Sequence, residues 1–539
     1  MADALDVLLR GGNVVDGSGS APVRADVLIS DGRIVAIGEA LGAPDASVVD
    51  VEGKVVAPGF IDIHTHCDFT LHRWPRADAM VRQGVTTVVV GNCGHSTFPV
   101  GDGERKEMLK AYSDFLADDL SWTWTDAAGF TKVLSALPLA PNVALQVGHG
   151  TARVAAMGFD DRAPTEGELE RMRASVADAM RAGAFGLSTG LIYPPGTYAT
   201  TGEVVALAEV AAAHGGFYST HMRNEGPALL DSIAETLEVA ERAHIPVEIS
   251  HHKVLGRRNW GLTEKSLALI DDARARGLDV SADQYPYEAS ATTLAALLPT
   301  WAVEGGTDRM RARLFDPAER ERIRDDVLNG PFDGGPKRDF EPETLMIASV
   351  MPEDPALVGR TISEIAGSRG VQPVDAMLDL LAHHGGGVQV VIFAIGEEDI
   401  RRVMSHPAVA VASDGWTLNP EAGGCPHPRS YGTFARVLGH YVRDEHHLSL
   451  EEAVRKMTSL PAARLGMADR GRLSPGAWAD VVVFDPATVA DRATFTDPHR
   501  YCAGVSHVFV NGQCVIEAGE DTGAASGRVL RRPGSRDAA

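Results

Sequence analysis

Histidine, cysteine and aspartate side chains stand at the ends of several apolar segments of this chain. His64 and His66 are two positions apart at the end of one such segment, and on a β-strand this spacing points both side chains the same way. Four further residues of metal-binding type end other apolar segments, namely Cys93, His221, His251 and Asp414. Neutral imidazole suits zinc, and a cysteine thiolate strengthens the preference for zinc over magnesium or calcium. These residue types predict a zinc site wherever the fold brings the segment ends together.

The elements that would position these residues alternate between strand and helix. Eight apolar segments end in polar residues: Gly59–Asp68, Val85–Cys93, Asn142–His149, Ala184–Tyr193, Gly216–His221, Pro246–His251, Leu278–Asp283 and Ala408–Asp414. Amphipathic stretches lie between several of them, such as Glu166–Arg181, Glu203–Ala213 and Leu229–Arg242. Eight strand–helix units predict an α/β fold, a (β/α)8 TIM-like barrel with its active site at the carboxyl ends of the strands. A doubly wound parallel sheet is the alternative architecture.

Three parts of the chain lie outside this repeating pattern. Short apolar runs near both chain ends, one pair joined by an Asp-Gly turn, predict a small discontinuous β-sandwich domain formed by residues 1–57 with 470–518. The barrel would then comprise residues 58–287 and 391–469. The seventh and eighth predicted strands are separated by 408 − 283 = 125 positions, so residues 288–390 are predicted to be an insertion that could form a lid. Residues 519–539 are predicted to be a flexible tail.

Composition limits the classes of function. The chain has 539 residues, 44% hydrophobic and 23% charged, which is typical of a globular protein and excludes a disordered one. The net charge is −23, so nonspecific binding to nucleic acid or to anionic membranes is not expected. We find neither a signal-peptide pattern nor an apolar run of membrane-spanning length. The five cysteines do not suggest a disulfide framework, and we therefore expect a cytoplasmic protein.

Longer stretches around the candidate residues carry a family resemblance. They are Pro58–His66, Gly84–Gly94, Gly186–Gly196, Ser219–Glu225, Ile249–Lys253, Tyr285–Tyr287 and Ser413–Gly415. Over nearly its whole length the chain resembles the amidohydrolase superfamily of metal-dependent hydrolases, and within it the D-aminoacylases, which are N-acyl-D-amino-acid deacylases. The resemblance implies zinc-dependent hydrolysis of a linear amide bond, which would convert an N-acyl-D-amino acid to a carboxylate and a free D-amino acid.

The resemblance also implies a set of metal ligands. One tight zinc site and a second, weaker site are expected, held respectively by Cys93, His221 and His251 and by His64 and His66. Many relatives bridge two metal ions with a carbamylated lysine on the fourth strand, but this chain has no lysine between Lys132 and Lys253. A different anionic ligand is needed, and Cys93 is available at the end of the second strand.

Asp414 is the candidate catalytic residue. A zinc-bound water can have its pKa lowered to about 7, so a nearby carboxylate can take its proton and later hand it to the departing amine. The resemblance implies that Lys253, Tyr285 and Arg429 bind the α-carboxylate of the substrate, with Tyr193 near its carbonyl group. The expected partner is therefore a small N-acyl amino acid.

Two other functions stay open at this level. A cyclic-amide hydrolase of the dihydropyrimidinase type is one, although its usual metal bridge is the missing lysine. A non-catalytic scaffold of the same fold is the other, although such proteins usually lack several ligands and here every expected position is filled. Cys67 and His95 depart from the family pattern and could alter the acyl or side-chain pocket.

Overall fold

Eight parallel strands form the centre of the computed structural model, which describes residues 6–113, 119–331 and 340–535. They are Phe60–Asp62, Val85–Val90, Asn142–Gly148, Gly186–Gly190, Phe217–His221, Val247–Ile249, Val280–Gln284 and Val409–Val411. Each strand pairs in parallel with the next one along the chain. Seven of these strands lie within their predicted segments and the seventh, Val280–Gln284, runs one residue past its own. The predicted (β/α)8 barrel is confirmed.

The first and eighth strands approach each other through the residues that follow them. Thr65 and Gly415 form a parallel β-bridge. The backbone N–H of Asp414 donates to the carbonyl oxygen of His64 at 2.8 Å, and that of His66 donates to Gly415 at 2.9 Å. The contacts that close the barrel therefore also fix three of the candidate functional residues.

Helices surround the barrel. Those of the barrel itself are Asp78–Val81, Glu104–Ser113, Ala127–Ser135, His149–Met157, Glu166–Arg181, Thr201–Ala213, Leu229–Ala243, Thr263–Ala275, Glu397–Ser405, Arg429–Arg436, the π-helix Val437–Asp444, Leu450–Met457 and Ser459–Arg464. The three predicted amphipathic stretches are all helical. Glu166–Arg181 begins at a capping box, in which Thr165 and Glu168 each accept the other's backbone N–H. Among the residues described, no helix has both the length and the apolar character that crossing a membrane demands.

Strands from both chain ends form one nine-stranded sheet. The strands are Val7–Val14, Val23–Ser30, Arg33–Gly38, Ser47–Asp50 and Val55–Pro58 from the first end, and Val481–Phe484, Val505–Val510, Gln513–Glu517 and Glu520–Asp521 from the second. The two halves join where Val55–Pro58 pairs antiparallel with Val481–Phe484. Asp31 and Gly32 have φ of 50° and 76°, as the two-residue hairpin turn predicted there requires.

The insertion folds around a sheet of its own. Ala289–Thr293, Leu345–Val350 and Val388–Phe393 form three antiparallel strands, with the last strand in the middle. Its helices are Thr300–Val303, Thr307–Phe315, Pro317–Asn329, Ile362–Arg369 and Pro373–His384. Leu294, Ile347 and Leu381 belong to a buried core separate from that of the barrel. The sheet extends to Phe393, three residues beyond the predicted boundary.

Short 3-10 turns connect several elements. They are Cys67–Phe69, Gly196–Tyr198, Arg257–Asn259, Leu294–Leu297, Pro342–Thr344 and Pro420–Ala422.

The end of the chain lies against the barrel, within the segment 519–539 for which the sequence predicts a flexible tail. Val529 forms a parallel β-bridge with Val143 at the start of the third barrel strand. Leu530 donates its N–H to Val143 at 2.7 Å, and Arg532 donates to Gly183 at 2.9 Å. The prediction rested on composition alone, whereas the backbone of this segment pairs with barrel residues. Residues 536–539 lie outside the described residues.

Candidate active site

All six predicted metal and catalytic residues converge at the carboxyl ends of the barrel strands. Their side-chain ligand atoms form two overlapping groups in which all atoms lie within 4.8 Å of one another: His64, His66, Cys93 and Asp414, and Cys93, His221 and His251. Cys93 belongs to both groups. Its Sγ lies 3.3 Å from Nε2 of His64 and 3.5 Å from Nε2 of His251. The thiol is therefore the point that the two groups share.

Three of these residues have left-handed backbone conformations. The φ angle is 53° at Cys93, 36° at His251 and 51° at Asp414. A residue with a Cβ atom adopts this region at an energetic cost, and such strain is concentrated at functional sites. Each residue lies a few positions past the end of its strand, where a sharp turn directs its side chain to the cluster.

The fourth strand ends in Gly190, and the turn at Cys93 occupies the space above it. A Cβ atom at Gly190 would lie 2.1 Å from the carbonyl oxygen of Cys93, which is closer than two such atoms can approach. A side chain at this position and the observed course of the Cys93 turn therefore exclude each other. The chain supplies an anionic sulfur where its fourth strand offers no lysine.

Two buried groups of the cluster are anionic. Burial raises the pKa of the Cys93 thiol, but the charges of His64 and His251 outweigh burial and hold that pKa well below its ordinary value. Burial likewise raises the pKa of Asp414, but the charges of Arg429 and His64 outweigh burial and hold that pKa well below its ordinary value. Nη1 of Arg429 lies 2.8 Å from Oδ2 of Asp414. A thiolate and a carboxylate thus lie within 4.8 Å of each other.

His64 and His66 respond to this negative charge. Burial lowers the pKa of both rings, but Asp283 and Cys93 raise that of His64 well above its ordinary value. The hydrogen bond that its ring donates to Asp414 raises the pKa of His66 to about 9 despite burial. Both rings therefore lie among negative charges that a bound cation would balance.

The donor set fits zinc. Four acidic groups and two basic side chains surround the imidazole rings, an excess of two acids when the rings are neutral: Cys93, Asp414, Asp283 and Glu225 against Lys253 and Arg429. Burial lowers the pKa of His221, so its ring is neutral. Within the described part of the chain, neither ring nitrogen of His221 makes a hydrogen bond. A neutral imidazole beside a thiolate is the donor pair that zinc prefers.

Two acidic residues to which the sequence analysis gave no role complete the site. Asp283 accepts the backbone N–H of His251 at 2.7 Å and lies 3.2 Å from Nδ1 of His64. Glu225 lies 3.0 Å from Nδ1 of His251 and 2.6 Å from Nζ of Lys253. Carboxylates that hold Nδ1 leave Nε2 of each ring to face the cluster. Asp283 ends a predicted strand and could have been found from that position, whereas Glu225 lies in a loop.

The four predicted substrate-binding residues line one cavity above the cluster, namely Lys253, Tyr285, Arg429 and Tyr193. The hydroxyl group of Tyr285 is buried and has no hydrogen-bond partner among the described residues. The guanidinium carbon of Arg429 lies 5.0 Å from the centre of the Tyr285 ring. A buried hydroxyl beside a cation is suited to receive an anionic group of a ligand.

Tyr193 connects the barrel to the insertion. Its ring packs edge-on against that of His221, with ring centres 4.8 Å apart. Its hydroxyl lies 3.0 Å from Oγ1 of Thr292, a residue of the insertion. The insertion therefore forms one side of the cavity.

Cys67 and His95 have different positions relative to the site. Cys67 is buried with its Sγ 3.9 Å from the carbonyl oxygen of Gly415, and it lies in neither ligand group. His95 lines the cavity, and burial lowers its pKa to about 3. Its Nε2 lies 3.0 Å from Oγ of Ser113. Of these two departures from the family pattern, His95 is the one that borders the cavity.

Comparisons with known proteins agree with this geometry. The sequence matches the amidohydrolase family over residues 47–516. It is 40% identical to a D-aminoacylase of Alcaligenes xylosoxydans xylosoxydans, with 98% of each chain covered. It is 39% identical to an N-acyl-D-glutamate deacylase of the same organism, covering 99% of this chain and 98% of the relative.

Solved structures show the same likeness. A D-aminoacylase with a binuclear metal centre superposes with a TM-score of 0.83 at 38% identity, covering 98% of this chain and all of the other. The N-acyl-D-glutamate deacylase of Bordetella bronchiseptica was solved with zinc and a phosphonate mimic of the tetrahedral intermediate. It superposes with a TM-score of 0.83 at 36% identity, covering 98% of this chain and 99% of the other. Dihydropyrimidinase of Brevibacillus agri shares the fold, with a TM-score of 0.56 at 16% identity and coverage of 98% and 99%. This chain belongs to the amidohydrolase family.

Proposed function

We propose that this protein is a zinc-dependent hydrolase that deacylates N-acyl-D-amino acids to a carboxylate and a free D-amino acid. The observation that carries the proposal is the buried cluster in which Cys93, His221 and His251 lie beside Asp414. The relatives support it, since they are named D-aminoacylase and N-acyl-D-glutamate deacylase. The Bordetella enzyme was solved with zinc and with a mimic of the reaction's tetrahedral intermediate.

The cluster would hold two metal ions at separate sets of ligands. The tight zinc ion would be held by Cys93, His221 and His251, and a second, weaker site by His64 and His66. Zinc, when bound, lowers the pKa of a coordinated water and polarises the scissile carbonyl group. Asp283 and Glu225 fix the rings of His64 and His251 through their Nδ1 atoms, so that the ligand nitrogens are oriented in advance.

Asp414 is the proton carrier in this proposal. Arg429 holds Oδ2 at 2.8 Å, while Oδ1 lies 3.1 Å from Nε2 of His66 and faces the cluster. Oδ1 takes a proton from the attacking water and releases it to the amine nitrogen as the C–N bond breaks, so the aspartate ends the cycle ionised. Despite burial, Arg429 and His64 keep the pKa of Asp414 well below its ordinary value, and the group starts the cycle as a base.

The substrate's α-carboxylate would be bound by Arg429, Lys253 and Tyr285. The planar guanidinium group can grip a carboxylate with two parallel hydrogen bonds, and the ammonium group acts as a point charge. Lys253 already contacts Glu225 at 2.6 Å, so its charge is shared between that residue and the substrate. Tyr193 would lie beside the substrate's carbonyl group.

The two alternative functions gain less support. A cyclic-amide hydrolase of the dihydropyrimidinase type would lack its usual lysine bridge, and Gly190 leaves no room for a side chain at the end of the fourth strand. A non-catalytic scaffold has no need of a complete ligand set with two buried anions. We also propose a cytoplasmic location, because all five cysteines are free thiols.

Replacing Cys93 tests the metal site. We expect Cys93→Ser to weaken zinc binding at least about 100-fold, because the substitution removes the anionic sulfur that both ligand groups share. Elemental analysis and competition with a chelator measure this. Cys67→Ser is the matched control, since Cys67 is also buried but lies in neither group. Equal zinc affinity of Cys93→Ser and the wild type would contradict the assignment.

Replacing Asp414 tests the proton carrier. We expect Asp414→Asn to lower kcat for N-acetyl-D-methionine at least about 100-fold, because an amide of the same shape cannot accept the water's proton. Zinc content measured on the same sample separates a catalytic loss from a loss of metal. A variant that keeps its zinc and retains a kcat within tenfold of the wild type would rule out this role.

Tyr285 and Tyr287 provide a matched pair for substrate binding. Both hydroxyl groups are buried without a hydrogen-bond partner among the described residues, but only Tyr285 lines the cavity. A hydrogen bond to a charged group contributes about 1.5–3 kcal/mol, so we expect Tyr285→Phe to raise KM about tenfold with little change in kcat. Tyr287→Phe should leave both constants unchanged. Equal effects of the two substitutions in steady-state assays would argue against a role for Tyr285 in binding.

A further inference from the structure

The cavity above the cluster extends between the barrel and the insertion, where apolar side chains line it together with uncharged polar ones such as Thr292 and Gln389. Two side chains of the barrel and four of the insertion line it with aliphatic or aromatic atoms; we call them the apolar wall: Tyr112, Phe159, Leu297, Val303, Met310 and Ile392. Phe159 and Met310 are buried, and the rings of Tyr112 and Phe159 pack with their centres 5.2 Å apart. The wall is therefore packed, and a ligand group lying against it would leave water.

The positive charge of the cavity is confined to its floor. Of the cavity-lining residues that the structure describes, two carry a lysine or arginine side chain, Lys253 and Arg429. Each already contacts a carboxylate of the protein, Lys253 that of Glu225 at 2.6 Å and Arg429 that of Asp414 at 2.8 Å. Under the proposed function the same two cations also receive the substrate's α-carboxylate. Among these lining residues, no lysine or arginine side chain is left for a second carboxylate.

We propose that this enzyme selects N-acyl amino acids with uncharged, apolar side chains and rejects those whose side chain carries a carboxylate. The inference rests on the proposed function and deepens it. An apolar side chain against the wall gains the free energy of leaving water. A carboxylate in the same place loses its hydration without gaining a lysine or arginine partner, and burying an uncompensated charge is far more costly than any packing it could recover.

Overall similarity does not decide this question. Relatives named for D-glutamate and for D-aspartate match this chain nearly as well as the D-aminoacylase does. The lining of the cavity is a local property, and it separates the substrate classes by charge.

Four N-acetyl-D-amino acids test the proposal on the zinc-loaded wild-type enzyme: the derivatives of methionine, glutamine, glutamate and aspartate. Glutamine and glutamate have nearly the same size, so their comparison isolates the charge. We expect kcat/KM to be highest for methionine, and at least about 100-fold lower for glutamate than for glutamine. Turnover of glutamate or aspartate equal to that of methionine would overturn the inference and leave the proposed function standing. A zinc-loaded enzyme that hydrolyses none of the four would overturn the proposed function itself, and the inference with it.

A substitution in the wall provides a second readout. Leu297 is only partly buried and lies in the 3-10 turn Leu294–Leu297, where a longer side chain can be accommodated. We expect Leu297→Arg to raise the ratio of kcat/KM for glutamate to that for glutamine at least about tenfold, because it supplies the missing cation. Leu297→Met is the matched control and should leave the ratio unchanged. A folded, active Leu297→Arg enzyme with an unchanged ratio would count against the wall as the side-chain pocket.

Discussion

The thiolate of Cys93 and the carboxylate of Asp414 place two negative charges in a pocket from which most water is excluded. Burying such charges is unfavourable unless positive charge accompanies them. Arg429 forms an ion pair with Asp414 at 2.8 Å, but Cys93 contacts imidazole rings, whose charge depends on protonation. A divalent cation meets this demand at any pH at which the ligands are deprotonated. The rest of the site is arranged around that requirement.

The barrel satisfies this requirement through the chain segments that follow its strands. Backbone hydrogen bonds between the first and eighth strand ends fix His64 and His66 next to Asp414, and left-handed turns direct Cys93 and His251 inward. Such positions cost conformational energy, which the surrounding barrel must offset. The position of each ligand is therefore set by backbone geometry rather than by free side-chain rotation, as a preorganised metal site requires.

The sequence predicted much of this arrangement because strand ends are visible in it. A barrel places the carboxyl ends of its strands at one rim. Strand ends alone therefore predict that five residues lie close together: His64, Cys93, His221, His251 and Asp414. The carboxylates that contact the ligand histidines from behind could not all be predicted in the same way. Glu225 contacts His251 and Lys253 from a loop. The spacing of apolar residues predicts strands and helices but not the course of a loop. The docking of residues 527–532 was missed for a related reason, because it depends on backbone pairing and not on composition.

Zinc K-edge X-ray absorption on the zinc-loaded protein tests the central claim most directly, because it reports which atoms surround the metal without relying on activity. We predict one sulfur neighbour at about 2.3 Å, accompanied by nitrogen or oxygen neighbours at about 2.0–2.1 Å. The sulfur contribution should vanish in Cys93→Ser and persist in Cys67→Ser. A zinc ion surrounded only by nitrogen and oxygen in the wild-type protein would contradict the account.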